Sequence, residues 1–144
     1  MILSASRRTD IPRFYSKWLL NRIKEGFVDV RNALVPQQVS RYSMSPDIVD
    51  GIVFWTKNPA PMLPIIDEFS DYSYYFQFSL TPYGKDVEAH LPDKHDILAT
   101  FKELSDKIGA GRMIWRFDPI LLNGKYSIDY HKRAFKTIAE ELSG

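Results

Sequence analysis

The sequence has no cysteine, so this chain contributes no disulfide, no thiolate nucleophile and no cysteine-ligated metal centre. Net charge is also almost absent, because 19 Lys and Arg residues stand against 18 Asp and Glu residues. This balance argues against a generally basic nucleic-acid-binding protein. No apolar run approaches the roughly eighteen residues that a membrane-spanning helix needs, and no charged leader precedes a long apolar segment at the start. We therefore predict a cytoplasmic, soluble protein without a membrane partner.

Apolar residues, in contrast, are plentiful enough for one core. The 144 residues are 44% hydrophobic, which is typical of a single globular domain, residues 1–144. Strand-like and helix-like segments alternate along this chain. The predicted strands are residues 1–6, 51–57, 74–81 and 113–118. Four such units in a row predict four parallel strands that are adjacent in sequence order and joined by right-handed crossovers.

Capping residues and prolines predict the elements around these strands. Asp10 and Ser127 stand where helix caps are expected, and Gly26 follows the first amphipathic stretch and ends it. Two β-rich segments within residues 28–43 predict a small hairpin outside the parallel sheet. The prolines after the second strand predict only a brief helix that begins at residues 61–64.

The third predicted strand distinguishes a barrel from a doubly wound sheet. Its apolar face consists of Phe76, Phe78 and Leu80, and its polar face of Gln77, Ser79 and Thr81. A doubly wound sheet has strands that are apolar on both faces, whereas a barrel strand has polar side chains that line the mouth. A complete barrel needs about 250 residues. We therefore predict an α/β fold that is a partial (half) TIM-type β/α barrel, with four parallel strand–helix units and an inserted small β-hairpin, forming the N-terminal half of a longer barrel protein.

Polar side chains accompany the carboxyl end of every predicted strand. They are Ser6, Arg7, Arg8, Thr9 and Asp10 after the first strand, Thr56, Lys57 and Asn58 at the second, Gln77 and Ser79 in the third, and Arg116 and Asp118 at the fourth. Because the carboxyl ends of parallel strands meet at one edge of a sheet, we expect these side chains to line one binding site for a small anionic or polar ligand. We assign Asp118 and Arg116 as the candidate catalytic residues, and the others as ligand-binding residues, with no metal ligand among them.

Several of these residues also have a purely structural interpretation. Asp10 stands in the position of a helix cap, with Pro12 behind it. Arg116 and Asp118 lie two residues apart and can pair with each other.

Tryptophans are typical of protein cores, and this applies to Trp18, Trp55 and Trp115. The histidines lack the spacing of a metal-binding pair and are expected at the surface, at His90, His95 and His131.

Five segments, taken in order, resemble an uncharacterised bacterial family described as a domain of unknown function. They are SASRRTDIPRFYS, VRN followed by PQQVSRYSMSP, VFWTKNPAPML, FQFSLTPYG and IWRFDPI, and together they span almost the whole chain. Longer members of that family carry a C-terminal cysteine cluster similar to the iron–sulfur ligands of radical SAM enzymes. The resemblance implies the N-terminal half of a radical-SAM-like barrel enzyme, with S-adenosylmethionine and an iron–sulfur cluster in the full-length protein.

The resemblance carries no cluster ligand to this chain, because the chain has no cysteine. We therefore expect no cofactor in these 144 residues alone, and no activity of this part without the rest of the enzyme. The motifs that match the family at strand ends are Ser6, Arg7, Arg8, Thr9, Asp10, Thr56, Lys57, Asn58, Arg116 and Asp118.

Two other functions remain open at the level of sequence. In a hydrolase or lyase barrel without an iron–sulfur cluster, Asp118 and a carboxylate from the second half would perform acid–base chemistry. In a nucleic-acid-binding module, a cationic face would contact phosphates through Arg7, Arg8, Arg13, Lys17, Arg31 and Arg41. Whichever applies, we expect the isolated chain to self-associate, because four curved strands leave sheet edges without partners.

Overall fold

The computed structural model describes residues 1–5 and 8–143, which form an α/β structure with two sheets. The strands are β1 (Ile2–Ala5), β2 (Phe27–Arg31), β3 (Val39–Ser43), β4 (Gly51–Thr56), β5 (Tyr74–Ser79) and β6 (Met113–Arg116). The α-helices are α1 (Ile11–Phe14), α2 (Ser16–Glu25), α3 (Lys94–Ile108) and α4 (Ile128–Leu142), and two 3₁₀ segments span Ala60–Phe69 and Ala110–Arg112. Within the described ranges, no helix is long and apolar enough to cross a membrane.

The larger sheet contains four parallel strands in the order β1-β4-β5-β6. This confirms the prediction of four parallel strands that are neighbours in sequence order. One row of the register runs across all four strands, through Ala5, Phe54, Phe76 and Met113. The third and fourth strands end earlier than predicted, at Ser79 and Arg116, because proline follows soon after each strand and cannot donate to the ladder.

The predicted hairpin is also confirmed. β2 and β3 pair antiparallel in a two-stranded sheet separate from the parallel one. Gly26 ends α2 in the left-handed conformation, with φ of 79°, which favours glycine. The carbonyl oxygen of Gly26 accepts a hydrogen bond from Met44 N at 2.9 Å, so the two ends of the hairpin are held together.

Helix starts follow the capping residues, but one helical segment is longer than predicted. Ser127 caps α4 by accepting a hydrogen bond from Tyr130 N at 3.2 Å. The prediction of a brief helix after the second strand is wrong, since the 3₁₀ segment Ala60–Phe69 has ten residues and contains Pro64. Burial of apolar side chains against the sheet outweighs the missing proline donors, because Met62, Ile66 and Phe69 are fully buried.

The core lies on one face of the parallel sheet. Its main cluster joins strand residues such as Phe54 and Phe76 to helical residues such as Leu19, Ile66 and Leu104. A second cluster packs α3 and α4 against the end of β5, through Phe78, Leu80, Ile97 and Phe101, with Trp115, Ile138 and Leu142 beside them. The expectation that every tryptophan belongs to the core is wrong for Trp18, which is 44% exposed on α2, and for Trp55, which is half-buried and lies in neither cluster.

The opposite face of the sheet belongs to neither cluster. In the register, Trp55, Gln77 and Ile114 form one row of this face, and Ser79 and Arg116 form the next row. These side chains are half-buried or exposed, and Ile114 is 45% exposed. We call this surface the open face. An α/β architecture with a four-stranded parallel sheet and a small antiparallel sheet is therefore established, with helices packed on one side of the larger sheet.

Candidate functional site

The carboxyl end of β4 is held to the start of α1 by Asp10. Its Oδ1 accepts a hydrogen bond from Arg13 N at 3.0 Å and caps α1. Its Oδ2 accepts from Thr56 Oγ1 at 3.0 Å and from Lys57 N at 2.9 Å. Thr56 Oγ1 in turn accepts from Asn58 N at 3.0 Å. The structural interpretation of Asp10 is confirmed, and Thr56 and Asn58 belong to the same network.

We expect Asp10→Ala to lower the free energy of unfolding by about 1–2 kcal/mol, because a helix cap and two further acceptor contacts are lost together. Asp93 provides a matched control, since it stands at the N-cap of α3 but its side chain makes no capping hydrogen bond. Asp93→Ala should cost less than about 0.5 kcal/mol. Urea denaturation of both variants tests this, and equal losses would contradict a special role of Asp10.

Lys57 extends from the same strand end to Glu88, a residue that the sequence did not single out. Lys57 Nζ lies 2.5 Å from Glu88 Oε1, and Lys94 Nζ pairs with Glu88 Oε2. Thr81 Oγ1 also donates to Oε1, at 2.9 Å. The Glu88 side chain is only 9% exposed, whereas the two lysines are about one-third exposed. The carboxylate therefore connects the ends of β4 and β5 to the start of α3.

The ionisation of Glu88 is set by two opposing effects. Burial raises the pKa of Glu88, but hydrogen bonds from Lys57, Lys94 and Thr81 outweigh it and hold the pKa below its ordinary value of 4.5. Glu88 is therefore a carboxylate at neutral pH. Asp86 lies in the same loop and contacts the loop that follows β6, because its carboxylate pairs with Lys125 at 2.8 Å and accepts a hydrogen bond from Tyr126 Oη at 2.8 Å.

Arg116 lies on the open face at the end of β6. Its guanidinium carbon is 4.5 Å from the centroid of the Trp55 ring, and its Nη2 donates to Asp118 Oδ2. Ser79 is its register partner on β5, and Gln77 lies one row below, beside Trp55. The Arg116 side chain is 30% exposed and that of Asp118 is 49% exposed. The predicted pairing of Arg116 with Asp118 is present, and both groups still reach solvent.

The site residues predicted after β1 do not all join the site. Ser6 and Arg7 lie outside the described residues. Arg8 is exposed, and its Nη1 lies 3.4 Å from the carbonyl oxygen of Arg31 on the hairpin. Thr9 is exposed beside it. The structure thus joins Asp10, Thr56, Lys57 and Asn58 in one group and Gln77, Ser79, Arg116 and Asp118 in a second, while Arg8 turns to the hairpin.

One histidine differs from the sequence expectation. His90 and His95 are exposed, as predicted, but His131 on α4 is only 6% exposed, so its predicted surface position is wrong. Its Nε2 lies 2.9 Å from Leu121 O, and aromatic rings surround it, including Tyr83 and Phe117. Packing of the loop after β6 onto α4 buries this ring, and no local pattern around residue 131 signals that packing.

Several cations of the nucleic-acid alternative donate to acceptors within the protein. Arg13 Nη2 lies 2.5 Å from His90 O, and Arg31 Nη1 lies 2.8 Å from Pro36 O. Arg41 forms two hydrogen bonds to Asp29, each 2.8 Å long. These contacts occupy donors that a phosphate-binding face would need to present to its ligand.

Comparison with known proteins adds one finding to this geometry. A family model described as a domain of unknown function, DUF1848, matches residues 2–144. No curated protein and no solved structure matches the chain. Since the matched segment covers nearly the entire sequence, from the first residue of β1 to the end of α4, the chain belongs to the DUF1848 family of unknown function.

Proposed function

We propose that this chain is the N-terminal half of a TIM-type β/α barrel enzyme and that its strand ends bind a small anionic or polar ligand. The helices pack on one face of the parallel sheet, as the outer helices of a barrel do, and the open face corresponds to the barrel interior. Active sites of such barrels lie at the carboxyl ends of the strands. The second group of site residues stands at that end and on that face.

The observation that carries this proposal is the setting of Arg116. Its guanidinium lies over the Trp55 ring and is bonded to Asp118, so its orientation is fixed before a ligand arrives. Within the described part of the chain, Arg116 donates only through Nη2, which leaves Nη1 and Nε for a carboxylate or phosphate group. The half-exposed Asp118 beside it would exchange a proton with the bound ligand.

The radical-SAM-like alternative is a more specific form of the same proposal. An iron–sulfur cluster does not fit this chain, since its 144 residues contain no cysteine to ligate iron. Any cluster ligands would therefore come from a second half of the enzyme. S-adenosylmethionine fits better, because its methionine carboxylate is the kind of anion that Arg116 would bind, and its ammonium group suits Asp118.

We expect Arg116→Ala, made in the complete protein, to weaken ligand binding by about 10- to 100-fold, the effect of losing one charge-assisted hydrogen-bonding group. The probes are S-adenosylmethionine and, separately, inorganic phosphate, followed by isothermal titration calorimetry. Arg112→Ala is the matched control, because Arg112 also stacks on an aromatic ring, that of Tyr74 at 4.9 Å, but lies before β6 at the opposite end of the strand.

The melting temperature separates a binding role from a structural one. Arg116→Ala should melt within a few degrees of the unmodified protein, since its ion pair is partly exposed and contributes about 1 kcal/mol or less. Equal loss of binding in both arginine variants, or no binding of either probe to the unmodified protein, would contradict the proposal. A large loss of stability in Arg116→Ala alone would show that its pair with Asp118 is structural.

A further inference from the structure

Two cationic side chains approach the carboxyl end of β5 from opposite sides. Glu88 Oε1 accepts hydrogen bonds from both Lys57 Nζ and Thr81 Oγ1, so the Lys57 ammonium lies close to the chain that leaves β5. Arg116 is the register partner of Ser79, the last residue of β5. Lys57 therefore comes from the β4 side of this strand end and Arg116 from the β6 side.

The end of β5 also shows that both cations lie on the open face. Leu80 belongs to the second core cluster, and its N donates to Arg116 O at 3.0 Å, so the chain is still extended there. Its neighbours Ser79 and Thr81 therefore point away from the helices. Since Lys57 and Thr81 share one acceptor, the Lys57 ammonium lies on the same side of the sheet as the Arg116 guanidinium.

The position of Trp55 shortens the distance between the two cations. Neighbouring strands lie about 4.8 Å apart, so the backbones of β4 and β6 are separated by about 10 Å. Arg116 begins on β6, but its guanidinium lies over the ring of Trp55, which belongs to β4. The guanidinium thus reaches back across β5 towards Lys57, and one small molecule can contact both groups.

Both cations keep donors for a ligand. A lysine ammonium has three N–H donors, and in the described part of the chain Lys57 Nζ bonds only to Glu88. Arg116 likewise uses only Nη2. The single negative charge of Glu88 is shared between Lys57 and Lys94 and neutralises only one of them. Positive charge therefore remains in excess around this carboxylate.

We propose that the ligand of this site carries two anionic groups, one bound by Arg116 and the other by Lys57. This inference rests on the proposed function and names the ligand class: dicarboxylates and phosphorylated carboxylates. Glu88 is a positioning residue, because it holds the Lys57 ammonium at the end of β5. A ligand with a single anionic group satisfies only one of the two cations, so the pair selects for the doubly charged ligand.

The first test compares singly and doubly charged probes by isothermal titration calorimetry with the complete protein. The probes are the dicarboxylates from malonate to adipate, each paired with the monocarboxylate of the same number of carbon atoms. We expect the best dicarboxylate to bind at least about 10-fold more tightly than its counterpart. Phosphoglycolate, compared with glycolate, shows whether a phosphate group replaces one carboxylate. Added salt should reduce the preference, because both cations are partly exposed.

The second test assigns the preference to Lys57. Lys57→Met removes the charge and keeps the length of the side chain, so the preference for the dicarboxylate should disappear while monocarboxylate binding at Arg116 changes little. Lys94→Met is the matched control, because Lys94 pairs with the same carboxylate and is similarly exposed but lies at the start of α3. It should retain the preference. Lys57→Arg keeps the positive charge and should retain most of the preference.

Equal affinity of the unmodified protein for dicarboxylates and monocarboxylates would overturn the inference, and this measurement does not depend on the folding of any variant. Equal losses of preference in Lys57→Met and Lys94→Met would also overturn it. Arg116-dependent binding of S-adenosylmethionine or phosphate without a dicarboxylate preference removes only this inference. A preference that depends on Lys57 but not on Arg116 contradicts the proposed role of Arg116, and binding of no probe at all contradicts both proposals.

Discussion

Phe54→Ala is expected to lower the free energy of unfolding by about 3–5 kcal/mol. Phe54 is fully buried at the centre of β4. Its ring stacks on Phe76 with a centroid distance of 4.7 Å and meets Phe69 edge-on at 5.7 Å. Truncation would remove this aromatic packing and leave a cavity between the sheet and the 3₁₀ segment Ala60–Phe69, which the rigid surroundings fill only in part. Urea denaturation followed by circular dichroism measures the loss.

Ile114→Ala tests whether the core is confined to one face of the sheet. Ile114 lies on the open face of β6 and is 45% exposed, so its truncation should cost less than about 1 kcal/mol. Both variants are compared with the unmodified protein at the same protein concentration, so that association would contribute equally to each apparent stability. Similar losses from Phe54→Ala and Ile114→Ala would contradict a one-sided core.

Glu88→Gln is expected to lower the free energy of unfolding by about 1–3 kcal/mol at pH 7, because charge-assisted hydrogen bonds to the carboxylate are lost. Loss of one partner from a buried ion pair costs more than this, but Lys57 and Lys94 are about one-third exposed and regain water when the carboxylate is removed. Glutamine has nearly the same shape and still accepts a hydrogen bond from Thr81. The variant therefore isolates the charge of Glu88 from its packing.

The effect of this substitution should depend on pH in one direction. The folded-state pKa of Glu88 is lowered from 4.5, so its contribution to stability is fully present above that value and is lost as the pH falls through the folded pKa. The difference between the unmodified protein and Glu88→Gln should therefore be largest at neutral pH and should shrink as the pH falls below 4.5.

Glu103→Gln is the control for this pH dependence, because Glu103 is exposed on α3. Its substitution should change stability by less than about 0.5 kcal/mol at any pH. Unfolding by urea at a series of pH values gives both curves. If Glu88→Gln retained the full acid-induced loss of stability, other carboxylates would be responsible for it and the buried pairs of Glu88 would be unimportant.

The sequence by itself determined the order and direction of the strands. Hydrophobic alternation, capping residues and turn residues are local signals, and the four parallel strands, the separate hairpin and the caps at Asp10 and Ser127 depend on them. The pairing of Arg116 with Asp118 could also be predicted from the sequence. Side chains that are two residues apart on an extended chain point to the same side.

Only the tertiary structure decided which of the polar residues meet. Glu88 contacts Lys57 across 31 positions of sequence, and no pattern near either residue specifies that contact. Arg8 contacts the backbone carbonyl of Arg31 on the hairpin, a residue 23 positions away in sequence that the fold brings beside it. The burial of His131 and the exposure of Trp18 likewise depend on how the helices pack. The spacing of apolar residues along a helix shows that they share one face, but it does not show whether another element covers that face. Local periodicity specifies which helices and strands form. The contact partners of a side chain depend instead on how these elements pack together, which involves residues from the whole chain.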